Sequence, residues 1–120
     1  MIVAFEGLPA VGKTTTAQAI DGAFIVREVP KLFQMPKSVP RDWYLDCQVA
    51  RWEMGLRRRN DFEHVIFDGD PFQPLWFNWI YEYQGKWEDN DFVREFYRDR
   101  IVEGRIAFPD VYVYFYVNSD

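Results

Sequence analysis

The stretch Gly7-Leu8-Pro9-Ala10-Val11-Gly12-Lys13-Thr14 sets two glycines four residues apart and follows them directly with Lys and Thr. This combination binds phosphate. The glycines let the backbone curl until successive amides point inward at an anion. A helix beginning just afterwards adds the positive end of its dipole. In such a loop the amides of Gly7, Ala10, Val11, Gly12, Lys13, Thr14 and Thr15 form the cup. The Lys13 ammonium lies against the outer phosphates, and the Thr14 hydroxyl ligates Mg²⁺. The residue types therefore predict a nucleoside-triphosphate binder.

Two further acids have chemistry open to them. Glu28 follows an apolar run and is placed to take a proton from a substrate hydroxyl, or to hold that hydroxyl in line with a γ-phosphate. Its alternative is a solvated carboxylate at a strand end. Asp68 closes another apolar run, the place for an acid that holds Mg²⁺ directly or through water. Its alternative is turn formation in Asp68-Gly69-Asp70-Pro71, where Asp70 is also suited to cap the next helix. Residue 69 is Gly, so the Asp-Glu pair of motor-type ATPases is missing. That tilts the expectation from hydrolysis toward transfer to an acceptor.

These residues need elements that bring them together. Met1 to Phe5 is apolar and bounded by Gly, a buried strand, and Thr14 to Ile20 forms the helix after the loop. Ala23 to Val26 is a second strand. Pro30, Pro36 and Pro40 mark residues 30–40 as a loop. Leu45, Val49, Trp52 and Leu56 lay one apolar stripe on a helix from about Arg41 to Arg58, with Tyr44, Gln48 and Arg51 on another face. His64 to Asp68 is a third strand, Phe72 to Tyr83 an aromatic helix, and Asp91 to Glu103 an amphipathic helix. In that last helix Phe92, Val93, Phe96, Tyr97 and Ile101 face inward, and Gly104 is placed as its C-terminal cap. Val111 to Val117 is a final strand. Strands alternating with helices predict an α/β fold, three layers with a parallel sheet between helices. In such sheets ligands bind at the carboxyl ends of the strands. The glycine loop, Glu28 and Asp68 all follow strand ends.

Bulk properties narrow the partners. The length of 120 residues fits one domain spanning 1–120. A net charge of −5 argues against nucleic acid as the main partner. It leaves a nucleotide open, because local amides hold the phosphates. A single cysteine, Cys47, excludes an intrachain disulfide or a cysteine-based zinc site and fits a reduced, cytoplasmic setting. No apolar run reaches membrane-spanning length, and Met1 stands directly on the first strand, leaving no room for a signal peptide.

Taken together, the chain resembles the P-loop nucleoside and nucleotide kinases, near the deoxynucleoside kinase and thymidylate kinase group. Phe5-Glu6-Gly7 is similar to that group's entry into the phosphate loop. Arg27-Glu28-Val29-Pro30 resembles its Glu-Pro segment, and Trp43 with Gln48 resembles its base-reading helix. Val65-Ile66-Phe67-Asp68 resembles the strand ending in its Asp-Arg motif, and Pro109 to Tyr114 resembles the approach to its fourth strand. The resemblance implies ATP and Mg²⁺ as cofactors and a nucleoside or nucleoside monophosphate as acceptor. It implies Lys13, Glu28 and Asp68 as catalytic residues, Thr14 and Asp68 at the metal, and Glu28, Tyr44, Gln48 and Arg51 at the acceptor.

Two departures accompany the likeness. Gly69 stands where the group has Arg, so that role either passes elsewhere, with Arg27 and Arg51 as the candidates, or is lost. The group also continues past a fourth strand with an Arg-rich lid, a fifth strand and a closing helix. The chain is therefore expected to belong to a longer kinase or to pair as a homodimer, its last strand leaving an apolar edge. The alternatives are a P-loop hydrolase acting as a switch and a non-catalytic nucleotide-binding domain. Arg57-Arg58-Arg59, His64 and Cys47 carry no function on this reading: they complement a helix dipole, face the surface and pack, respectively. Trp76, Phe77, Trp79 and Tyr81 are expected in the core.

Overall fold

Along each short apolar run successive side chains point to opposite faces, and both faces are covered. The computed structural model describes residues 1–7, 12–76 and 90–115. Its elements are β1 (Ile2–Gly7), α1 (Lys13–Gln18), β2 (Ala23–Val26), α2 (Val29–Leu32), α3 (Trp43–Arg58), β3 (His64–Asp68), α4 (Asn90–Val102) and β4 (Val111–Phe115). The strands form one parallel sheet in the order β2-β3-β1-β4. Val26 pairs with Phe67, Phe5 with Asp68 and Val113 with Phe5, so the carboxyl ends of all four strands meet along one edge.

Val3 and Phe5 of β1 with Ile66 of β3 pack on one face against Ala17 of α1, with Ile20 and Ile25 beside them. Ala4, Val65 and Phe67 turn to the other face, where α3 supplies Leu45, Val49 and Trp52 and α4 supplies Val93, Phe96 and Tyr97. The Trp52 and Phe67 rings stack with centroids 5.4 Å apart. Gly55 permits this approach: a Cβ there would lie 2.6 Å from Phe67 Cζ and 3.0 Å from Val65 Cγ1. The result is the three-layer α/β architecture with a parallel sheet. Among the described residues, no helix is long and apolar enough to cross a membrane.

Several expectations change. Helix α2 (Val29–Leu32) runs into the start of the expected 30–40 loop, with Pro30 in its first turn, where a missing amide hydrogen costs nothing. Helix α3 starts at Trp43 rather than Arg41, since Arg41 and Asp42 are turn residues. Ile101 is exposed although its period matched the buried stripe, because it falls at the last turn of α4, beyond the sheet. Trp76 is also exposed, 56 % open, its indole held by a hydrogen bond rather than by packing. Phe77, Trp79, Tyr81 and most of the expected Phe72–Tyr83 helix lie outside the described residues, as do Tyr116 and Val117. Among the described residues β4 is the edge strand on its side of the sheet, and Val111, Val113 and Tyr114 are exposed.

Candidate functional site

The first crossover leads from β1 through α1 to β2 on one side, and the last leads from β3 through α4 to β4 on the other. The connections therefore diverge between β1 and β3, and in sheets of this kind the crevice opens at that point. Gly7 ends β1 there and Asp68 ends β3 beside it. Gly12, left-handed at φ 91°, turns the returning chain into α1, and Lys13 and Thr14 occupy the first turn of that helix. Leu8, Pro9, Ala10 and Val11 lie outside the described residues. The amides that Ala10 and Val11 were expected to contribute are therefore not part of the geometry below.

Four of the expected side chains converge. Thr14 Oγ1 donates to Asp68 Oδ2 at 2.7 Å. Lys13 Nζ stands 3.7 Å from Glu28 Oε1, with the lysine buried and the glutamate side chain 46 % exposed. Glu28 is the N-cap residue of α2 but its carboxylate makes no capping bond. Its oxygens are thus directed to Lys13 rather than spent on the helix. Thr15 follows on α1, exposed.

Asp68 is only 1 % exposed, and among the described residues its Oδ1 has no hydrogen-bond partner. A buried carboxylate oxygen left unmatched carries a desolvation penalty that a cation would relieve. Arg27 Nε lies 4.0 Å from the other oxygen, Oδ2, and is likewise without a hydrogen bond. The donor set of a threonine hydroxyl and one carboxylate fits Mg²⁺ completed by phosphate oxygens and water. Among the described residues no group of three His, Cys, Asp or Glu side chains is arranged to cage a metal by itself.

The three further residues expected at the acceptor lie on α3. Tyr44 is half-buried, and burial raises its phenol above the ordinary value while the Arg51 charge and a hydrogen bond with Gln48 pull it back. Gln48 and Arg51, both expected to face the acceptor, are each 1 % exposed. Arg51 Nη1 donates to Gln48 Oε1 at 2.6 Å, Nε to the Arg27 carbonyl at 2.8 Å, and Nη2 to the carbonyls of Asp68 and Gly69 at 3.0 and 2.9 Å. The guanidinium stands behind the crevice and holds its walls. Of the two arginines expected to cover for Gly69, Arg27 is the one left near the Asp68 carboxylate.

Two further polar residues join the site, only partly signalled by local pattern. Asp70, also 1 % exposed, takes the turn role considered for Asp68: its Oδ1 accepts from the Phe72 amide at 3.0 Å. The Trp76 indole and the Tyr112 hydroxyl add longer bonds of 3.4 Å. Burial raises its carboxyl, the Phe72 and Trp76 bonds lower it, and Glu6 raises it again. Glu6 accepts from the amides of Gly7 and Asp70 and from Gln73 Nε2, tying the end of β1 to the loop after β3. No spacing rule marks Glu6, because its Asp70 and Gln73 partners lie more than 60 residues away.

No protein-family model matches the sequence, and no curated protein does either. Among solved structures the chain is similar to deoxyadenosine kinase from M. mycoides with bound dATP, at a TM-score of 0.56 and 20 % identity. The match covers 98 % of this chain and 66 % of that one, so the chain spans about two thirds of the solved kinase's length. The likeness shows the fold alone, the α/β architecture shared with that kinase.

Proposed function

We propose that the chain carries out ATP- and Mg²⁺-dependent phosphoryl transfer to a small-molecule hydroxyl or phosphate, with a nucleoside or nucleoside monophosphate as the acceptor. One observation carries this reading. Lys13, Thr14, Glu28 and Asp68, drawn from three separate segments, converge at the point where the sheet connections diverge, through the 2.7 Å Thr14–Asp68 bond and the 3.7 Å Lys13–Glu28 pair. A phosphate-binding cation, a metal-binding pair and an acid for the acceptor are the parts phosphoryl transfer needs, since its catalysis is mainly positioning and charge neutralisation.

In this reading Lys13 and the loop amides hold the β- and γ-phosphates, and Arg27 adds a second cation beside them. Thr14 and Asp68 hold Mg²⁺, which neutralises phosphate charge when bound. Glu28 releases Lys13 to the phosphates and turns its carboxylate to the acceptor hydroxyl, taking its proton or holding it in line. Tyr44, half-buried in front of Gln48, forms the wall nearest the acceptor. The solved kinase of the same fold binds dATP, which supports a nucleotide as one of the two ligands.

The test is a screen of nucleosides and nucleoside monophosphates with labelled ATP on the full-length gene product, beside Lys13→Ala. Phosphorylated acceptor is expected from the wild type. The variant is expected to lose at least ~10²-fold in turnover, the scale for removing one charge stabiliser, with an unchanged circular dichroism spectrum. Full activity in the variant would remove the mechanism. Phosphate release without any acceptor would point to a hydrolase. No heat and no thermal shift with Mg-ATP would point to a non-catalytic domain.

A further inference from the structure

Strands β2 and β3 pair up to Val26 and Phe67 and then part. Past that register the ladder supplies no partners, and both strands still present carbonyls at a site closed to water. Buried carbonyls need donors, and only a side chain rich in N–H groups can serve several at once. Arg51 does so from α3. Its Nε donates to Arg27 O, its Nη2 to Asp68 O and Gly69 O, with a longer 3.4 Å reach to Val26 O. The guanidinium rests 5.7 Å above the Phe67 ring, and Gln48 fixes it from the same helix.

The residues held in this way flank the two acids of the site. Arg27 immediately precedes Glu28, and Asp68 is itself one of the clamped positions. Gly69, at φ 93°, brings its Cα so close that a Cβ there would lie 3.6 Å from Glu28 Cγ. Burying a guanidinium on neutral carbonyls is costly. An apolar contact between α3 and the sheet would give stability alone at less expense.

We propose that Arg51 is a positioning residue that sets the spacing of Glu28 and Asp68 by clamping the ends of β2 and β3, and that it does not touch the acceptor. This rests on the phosphoryl-transfer reading above, which makes Glu28 and Asp68 the acids to be aligned.

The experiment has two arms. The first compares Arg51→Lys, Glu28→Gln and the double variant in steady-state transfer. Lysine keeps the charge but cannot fork between the two strand ends. Arg51→Lys should lower kcat by ~10²-fold, the scale for a small misplacement of reacting groups, with KM for both substrates within about three-fold. Once Glu28 is already Gln, the same change should cost less than about three-fold, because residues acting as a unit are not additive. Equal costs in both backgrounds, or a raised acceptor KM at unchanged kcat, would overturn the proposal. The second arm needs no activity: amide hydrogen exchange in Arg51→Lys should lose protection at residues 26–29 and 68–70 while β1 and the rest of α3 keep theirs. Uniform loss, or none, would refute the clamp. Should Arg51→Lys not fold, Gly69→Ala disturbs the other end of the clamp and should give the same two signatures. A wild-type chain without transfer activity would defeat the phosphoryl-transfer reading and leave the exchange arm to judge the clamp.

Discussion

On the β2–β3 side of the crevice the backbone is saturated and the carboxylate is not. Arg51 answers the main-chain carbonyls, and Asp68 keeps Oδ1 without a partner. On the β1–β4 side the carboxylates themselves are consumed. Glu6 takes two amides and an amide side chain, and Asp70 takes an amide, an indole and a phenol. Asp68 and Asp70 stand either side of Gly69, equally buried. Among the described residues one keeps a carboxylate oxygen without a partner, and the other holds a turn. Burial alone therefore does not mark a functional acid; the difference lies in whether the protein has already met its lone pairs.

The contrast can be broken most directly at Asp68. Asp68→Asn keeps an oxygen for Thr14 but removes the charge, and kcat for transfer should fall by ~10²–10³-fold with little change in Tm. The same exchange at Asp70 should leave kcat within about three-fold. Comparable losses in steady-state kinetics of the two variants would abolish the distinction between the two sides.

A structural wedge sharpens the comparison from below. Gly55→Ala forces α3 away from Phe67 and Val65. Overpacking at such a contact costs ~1–3 kcal/mol, measurable as a lower urea midpoint. Because α3 carries Arg51, exchange protection should fall at residues 68–70 before it falls at Glu6 and Gly7. Equal loss on both sides would show that the two sides are not held independently.

The smallest effect concerns pH. Burial holds the Asp70 carboxyl above its ordinary value of 3.8. The folded chain therefore binds this proton more tightly than the unfolded chain does, and the group costs stability as pH rises from about 4 through its raised value. Above that value the cost is complete. In Asp70→Asn this component disappears, so the variant's Tm should improve relative to wild type between pH 4 and pH 7. A gap that stays constant would mean that Asp70 does not titrate in this window.

Much of the sheet is written in the local pattern. Ala23–Val26 and His64–Asp68 form strands over the expected residues, since short apolar runs covered on both faces admit few other structures. Asp91 to Val102 is likewise helical as its period required, within one residue at each end. Residues 29–32 escaped because three prolines read as a loop, although Pro30 falls where a helix accepts one. The site was legible in part for the same reason. Lys13, Thr14, Glu28 and Asp68 each follow a strand end, so topology alone brings them to one edge.

What the sequence determined by itself is the alternation of strand and helix, the phosphate-loop pattern and the acids that follow strands, because these depend on neighbours a few residues away. What only the tertiary structure decided is the division of labour among the polar residues. Which carbonyls Arg51 meets, whether Thr14 reaches Asp68, and whether Glu6 ties β1 to the loop after β3 depend on partners 17 to 67 residues distant. Hydrogen bonds at that separation leave no trace in local periodicity, because packing alone brings the groups within reach.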